Sequence, residues 1–174
     1  DVRIRIREIS LKNYARVMAI DAVTRRTLEL VANARDGGLS GTLFSVMDLC
    51  RTVGGSRLLR NWLLNPLTDV QAIRRRQAAL AALRSAREIH REAGALLKGS
   101  CDVERISARL ELQVVSPREL AALRNTLELV PRIRNLLLEL SQLCGNAPEL
   151  LSEILEGLNF PEELSAGLGV LSDN

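Results

Sequence analysis

Aromatic side chains are nearly absent from this sequence, with four in 174 residues. They are Tyr14, Phe44, Trp62 and Phe160, and they are scattered along the chain. Proteins that bind single-stranded nucleic acid usually stack bases on clustered aromatic rings. The scarcity of such rings therefore argues against that mode of binding.

Histidine and cysteine are also scarce. His90 is the single histidine, and Cys50, Cys101 and Cys144 lie far apart with no Cys-x-x-Cys pair. One isolated histidine cannot supply an ordinary zinc ligand set, and no sharp-turn motif presents a serine for a Ser-His-Asp triad. Isolated thiols are typical of a reducing compartment and of small core residues. We therefore expect no metal site, no catalytic residue and no enzyme activity in this chain.

Long apolar runs and a signal peptide are missing as well, so the sequence indicates neither a membrane span nor secretion. We expect a cytoplasmic protein. The sequence starts at Asp1 without a methionine, which suggests a piece of something larger. The net charge is only +3, from 24 basic and 21 acidic residues. This balance is typical of a solvated helical surface and does not demand a nucleic-acid partner.

Helix-forming residues dominate what is present. Apolar residues make up 47% of the sequence, chiefly Leu and Ala, while aromatic residues make up 2%. This composition predicts an all-α, multi-helical core domain. Residues 2–6 are the exception, because Val2, Ile4 and Ile6 alternate with arginines, which predicts a short N-terminal β-strand. A helical pattern follows from Ser10 to about Leu30.

Capping signals divide the rest of the sequence into helices. We expect a short helix from about Thr42, another opened by residues 54–56 and ended at Pro66, and a long one after a Thr68–Gln71 capping box. A further helix is expected over about 86–98. Asp102 is expected to cap the helix that follows. Ser116, Pro117 and Glu119 form the cleanest start signal, and Pro131 is expected to kink or restart that helix.

Few polar residues suggest chemistry. Residues 94–100 have the composition of a phosphate loop, but Lys98 precedes Gly99 instead of following it, so we reject that reading. The glycines at 54–55 are explained by turn formation. The run Arg74–Arg76 is expected to form a solvated face, and Arg105 and Arg109 to form ion pairs between helices. Trp62 is expected to be mostly buried.

An ordered series of segments resembles the core domain of MutS-family DNA mismatch-repair proteins. These segments are residues 18–30, 41–48, 52–63, 102–110 and 116–120, and the resemblance covers roughly residues 15–140. The positions that carry the family pattern are Asp21, Asp48, Gly55, Arg57, Arg60, Trp62, Pro66, Arg76, Asp102, Arg105 and Arg109. Cys50 is a mild departure, since the family often has Thr there.

The resemblance implies a division of the chain into three parts. Residues 1–16 would form a connector, 17–145 a helical core domain, and 146–174 C-terminal helices that lead toward an absent lever and clamp. The family's mismatch-reading domain, with its Phe-x-Glu wedge, and its ATPase domain are also absent. Residues 160–162 spell Phe-x-Glu, but we regard this as coincidence because Pro161 starts a helix.

The resemblance also implies a role for the parent protein. This domain would be a non-catalytic scaffold that couples DNA binding to the ATPase, with ATP and magnesium bound elsewhere in the parent. The implied partners are the remaining domains of its own chain, duplex DNA, a second copy in a homodimer and a MutL-type protein. No membrane partner is implied. In a bacterium the parent protein would be associated with the nucleoid. Two alternatives are the core of a MutS relative acting in recombination and an independent helical module that binds DNA through Arg3, Arg5, Arg74 and Arg75.

Overall fold

The computed structural model describes residues 16–145 and 147–158, and all regular secondary structure within these ranges is helical. This confirms the predicted all-α class. The eight helices are α1 (Ala22–Thr27), α2 (Leu43–Met47), α3 (Val53–Leu64), α4 (Val70–Ser85), α5 (Arg87–Leu97), α6 (Val103–Glu111), α7 (Pro117–Leu143) and α8 (Glu149–Gly157). The predicted strand at residues 2–6 and the Phe160–Pro161 segment lie outside the described residues.

Side-chain caps fix where most of these helices begin. The residue before the helix accepts hydrogen bonds from backbone N–H groups that have no partner inside the first turn. The capping residues are Asp21, Thr42, Thr52, Asp69, Asp102 and Ser116. At α7 the cap is the predicted capping box, with Glu119 accepting from the Ser116 backbone N–H and Pro117 as the first helical residue. The short capping patterns of the sequence thus determine several helix boundaries.

Helices α4, α5, α7 and α8 pack around one hydrophobic core, α6 packs against α7, and we call these five helices the bundle. The core is formed by side chains that are at most 8% exposed: Ala79, Ala82, Ile89, Leu136, Leu137, Leu140 and Leu151. Leu140 is fully buried at its centre. Helix α7 has 27 residues, a length of about 40 Å at 1.5 Å per residue. The packed helix pairs are α5–α7, α4–α8, α7–α8, α4–α5 and α6–α7.

Residues 16–65 form a second region, which we call the N-terminal lobe. Its buried residues are few: Leu30, Thr42 and Phe44. The backbone N–H groups of Leu43 and Phe44 donate to the carbonyls of Glu29 and Leu30 at 3.1 and 2.9 Å, so the chain after α1 folds against the start of α2. Helices α2 and α3 pack together, while α1–α3 approach the bundle helices only sparsely.

Two expectations about helix boundaries are wrong. Residues 17–21 are not helical, and α1 covers only Ala22–Thr27, because the Asp21 side chain accepts from the backbone N–H groups of Val23 and Thr24 and so caps the helix there. Residues 16–18 instead pair with residues 66–68 through an isolated antiparallel bridge between Val17 and Leu67. Asp69, and not Thr68, caps α4. Its carboxylate lies one residue nearer the helix and accepts from the N–H groups of Gln71 and Ala72.

Pro131 does not restart a helix. It lies inside α7, which continues from Pro117 to Leu143 as one element. A proline in a helix interior removes one backbone hydrogen bond and crowds the preceding turn, at a cost of about 3 kcal/mol. The residues that follow it, Leu136, Leu137 and Leu140, are buried in the bundle core, and their burial offsets that cost.

Candidate functional site

Two polar residues of the family pattern, Arg57 and Asp102, meet where α3 of the N-terminal lobe faces the start of α6. The guanidinium of Arg57 donates from Nη1 to Asp102 Oδ2 at 2.5 Å and from Nη2 to Asp102 Oδ1 at 2.8 Å. Nη2 also donates to Glu104 Oε2 at 2.5 Å. We call Arg57, Asp102 and Glu104 the Arg57 cluster. Its planar, two-bond geometry makes it both stronger and more directional than a single ion pair.

Asp102 has two roles in this cluster. Its Oδ1 accepts from Arg57 and also from the backbone N–H of Arg105, at 3.3 Å, which caps α6. The hydrogen bonds from Arg57 hold the pKa of Asp102 at about 2, and the same carboxylates raise the pKa of Arg57. The Asp102 side chain is 18% exposed, whereas that of Glu104 is 81% exposed. Asp102 is therefore the anchored partner and Glu104 the outer one.

Two further contacts tie α6 to α7. Arg109 Nε lies 2.9 Å from Glu119 Oε1, and its Nη2 donates to the Val114 carbonyl at 2.8 Å. The backbone N–H of Cys101 donates to the buried hydroxyl of Thr126, which itself donates to the Ala122 carbonyl. Arg109 thus pairs between helices as expected, whereas Arg105 is exposed and contributes its backbone N–H to the Asp102 cap.

Trp62 lies beside Arg76 and is not mostly buried, so that prediction is wrong. The ring is 38% exposed, and the Arg76 guanidinium carbon lies 3.9 Å from the ring centroid. A cation over an indole face is attracted by the ring quadrupole. Partial burial lowers the pKa of Arg76 from its ordinary value. The pair joins α3 to α4 and so forms a second link between the lobe and the bundle.

Asp48, Ser56 and Gly55 organise the turn between α2 and α3. The Ser56 hydroxyl donates to Asp48 Oδ2, and this bond lowers the pKa of Asp48. The Gly55 N–H donates to Thr52 Oγ1 at 2.9 Å. A Cβ at Gly55 would lie 2.9 Å from the same oxygen, so a larger residue would displace the cap. These residues shape the turn between α2 and α3.

Three other residues of the family pattern lie apart from the Arg57 cluster. Asp21 caps α1, and a side-chain bond from Thr24 lowers the pKa of its carboxyl group. The Pro66 carbonyl accepts from the Met18 N–H at 2.7 Å, next to the Val17–Leu67 bridge. Arg60 is exposed on α3. The structure therefore brings together Arg57 and Asp102 and, separately, Trp62 and Arg76.

Arg75 has a partner that the sequence did not reveal. Its Nε lies 3.0 Å from Glu149 Oε2, and its Nη2 donates to Glu153 on the same face of α8. Arg74 is exposed, so the run at 74–76 is a solvated face only in part. The i, i+4 spacing of Glu149 and Glu153 predicts that both lie on one face of a helix. It does not predict that α4 is the helix that packs against this face.

The sequence predicted that the cysteines are small core residues. Cys50 is exposed and is not a core residue, and His90 is exposed on α5. Within the ranges the structure describes, no group of three or more His, Cys, Asp or Glu side chains could hold a metal ion. No helix in those same ranges combines the length and apolarity needed to cross a membrane.

The geometry defines an all-α domain whose polar pattern serves helix capping and helix-to-helix ion pairing. Residues 23–169 match the family model of MutS domain III. The chain belongs to this family, and it is the domain III and not the ATPase domain.

Three curated relatives are each named DNA mismatch repair protein MutS. The one from Desulfosudis oleivorans is 45% identical over 114 residues, which is 66% of this chain and 13% of that protein. Those from Chlorobaculum parvum and Methanothrix thermoacetophila are 36% and 41% identical over 129 and 128 residues, each 74% of this chain and 15% of the relative. The chain thus spans 13–15% of the length of these relatives.

Proposed function

We propose that this domain is a stiff, non-catalytic scaffold that couples DNA binding to ATP hydrolysis in a larger mismatch-repair protein. The family match supports the setting, and the names of the relatives favour mismatch repair over recombination. The observation that carries the mechanical role is α7, 27 residues packed against α5, α6 and α8 around a fully buried Leu140. A close-packed helix of that length resists deformation and can pass displacement between its ends.

The polar chemistry supports the same role. The charged clusters of the described residues neutralise one another across helix pairs, at α3–α6, α6–α7 and α4–α8. Groups used in this way position helices. ATP and magnesium would be bound by another domain of the parent, and the partners would be the other domains of its chain, duplex DNA, a second copy and a MutL-type protein. A cytoplasmic location belongs to the same proposal.

Coupling can be tested in the full-length parent with a variant that softens the bundle. Leu140→Ala leaves a cavity at the fully buried centre, and we expect it to reduce the change in ATPase rate caused by mismatched DNA while basal hydrolysis persists. Leu120→Ala, at a side chain 42% exposed on the same helix, is the matched control. Circular dichroism of this chain verifies folding of both variants. Unchanged coupling in a folded Leu140→Ala parent would refute the scaffold role.

An independent DNA-binding module is the second candidate, favoured by the exposed Arg74 on α4. It requires that this chain by itself bind duplex DNA, with affinity falling steeply as salt rises because phosphate contacts release counterions. Fluorescence anisotropy with a labelled duplex measures this directly. We expect little binding at physiological ionic strength, and a tight complex weakened by Arg74→Gln would favour the module over the scaffold.

A further inference from the structure

The link between the N-terminal lobe and the bundle differs from the contacts among α4, α5, α7 and α8. The buried members of the bundle core come from α4, α5, α7 and α8, and none comes from α1–α3. Two polar side-chain links join the two regions: the Arg57 cluster between α3 and α6, and Arg76 over Trp62 between α4 and α3. Both links lie outside the buried core.

Arg75 provides an internal comparison. Like Arg57, it is a partly exposed arginine that contacts two carboxylates from another part of the bundle. The side chain of Arg75 is 37% exposed and that of Arg57 is 44% exposed. The helices that Arg75 joins, α4 and α8, also share the hydrophobic core through Ala79, Ala82 and Leu151. Apolar burial therefore maintains the α4–α8 contact even without its ion pair. Neither of the helices that Arg57 joins, α3 and α6, contributes a residue to that core.

We infer that the N-terminal lobe and the bundle are two bodies that move about this polar joint, and that Arg57 is the positioning residue that fixes their relative orientation. Exposed ion pairs contribute little net free energy and are screened by salt. Their two-bond geometry nonetheless favours one arrangement over its neighbours. Removing the Arg57 charge therefore widens the range of orientations without unfolding either body. The scaffold role rests on the stiffness of the bundle around α7, so motion of the lobe does not contradict it, and the two proposals are tested separately.

The test measures a distance across the joint. Spin labels are placed at Cys50, which is exposed in the lobe, and at His90→Cys, which is exposed on α5, in a background of Cys101→Ser and Cys144→Ala. Pulsed electron–electron double resonance then gives the distribution of distances between the two labels. We expect a narrow distribution in the unsubstituted chain, a broadened or shifted one in Arg57→Gln, and no change in Arg75→Gln. High salt should change the distribution of the unsubstituted chain in the same way as Arg57→Gln does.

A second label pair separates joint motion from general loosening. With Cys50 also replaced by serine, labels at His90→Cys and Glu156→Cys both lie in the bundle, on α5 and α8, and Arg57→Gln should leave their distribution unchanged. An unchanged lobe-to-bundle distribution in Arg57→Gln would overturn the inference. Equal broadening in Arg75→Gln, or broadening within the bundle, would also overturn it.

A further variant keeps the question answerable if Arg57→Gln does not fold. Asp102→Asn retains a side-chain oxygen that can cap α6, since Asn is as good an N-cap as Asp, but it lacks the charge that Arg57 needs. It should broaden the lobe-to-bundle distribution while α6 stays helical. A distribution like that of the parent chain would overturn the inference equally.

Discussion

The N-terminal lobe and the bundle are built in different ways from similar residues. The bundle buries apolar side chains from four helices in one core, whereas the lobe buries only Leu30, Thr42 and Phe44. The lobe is the shorter region, yet more than half of the large exposed hydrophobic side chains in the described residues belong to it. Capping bonds fix the lobe's local shape, while apolar burial supplies most of the bundle's stability. The difference teaches that one helical composition can yield regions of unequal cooperativity.

The largest expected effect is in the bundle core. Leu140→Ala truncates a fully buried core leucine, and it should lower the free energy of unfolding by about 4 kcal/mol. Leu58→Ala, at a side chain 49% exposed on α3, should cost about 0.5 kcal/mol. Urea denaturation followed by circular dichroism gives both values. Equal costs would break the distinction between the two regions.

A smaller effect is expected at the joint. A fully buried tryptophan would lose about 3–5 kcal/mol on truncation to alanine. Because Trp62 is 38% exposed and held in part by Arg76, Trp62→Ala should cost about 2 kcal/mol. The same denaturation experiment measures it, and Trp62 emission in the unchanged chain should be intermediate between buried and free indole. Strongly blue-shifted emission would show that the lobe covers this ring.

The helix caps should separate local from global effects. Ser116→Ala breaks the capping box of α7 and should lower the stability of the bundle by about 1 kcal/mol. Thr42→Ala breaks the cap of α2, and it should speed amide hydrogen exchange at residues 43–47 while leaving exchange in α7 unchanged. Mass-resolved hydrogen exchange tests both. Slower or unchanged exchange in α2 would argue that the lobe does not depend on its caps.

The smallest expected effect is the acid sensitivity of the joint. The pKa of Asp102 is lowered from 3.8 to about 2 in the folded protein, so its stabilising contribution is complete above pH 3.8 and is lost as the pH falls toward 2. Glu119, Asp48 and Asp21 also have lowered pKa values and act in the same direction. The difference between the parent chain and Asp102→Asn therefore isolates Asp102. Stability curves that stay parallel from pH 5 to pH 2 would contradict the role of its charge.

Local sequence patterns predicted the fold class and several helix boundaries. The capping box at Ser116, the cap at Asp102 and the end of α3 before Pro66 depend on residues within one turn, and the structure confirms all three. The start of α1 and the exposure of Trp62 were predicted wrongly, because each depends on what the segment meets in space. Residues 16–18 pair with residues 66–68, and the Trp62 ring contacts an arginine and not the bundle core.

The candidate site shows the same division. The resemblance to the MutS family singled out Arg57 and Asp102 without indicating that they touch. Glu104, Arg75 and Thr126 were missed, because each finds its partner at least 25 residues away along the chain. The acidic residues on α8, Glu149 and Glu153, and those at the start of α6, Asp102 and Glu104, can be recognised in the sequence. They identify an acidic surface, but not the helix that packs against it.

By itself, the sequence determined that this chain is helical, where most helices begin, and which family pattern it carries. Those properties follow from hydrogen bonds and side-chain preferences within a few residues of each other. Only the tertiary structure decided that the apolar side chains of four helices share one core while α1–α3 stand outside it, joined through Arg57 and Trp62. Such pairings depend on which surfaces meet after the chain folds back, and local preferences do not encode that choice.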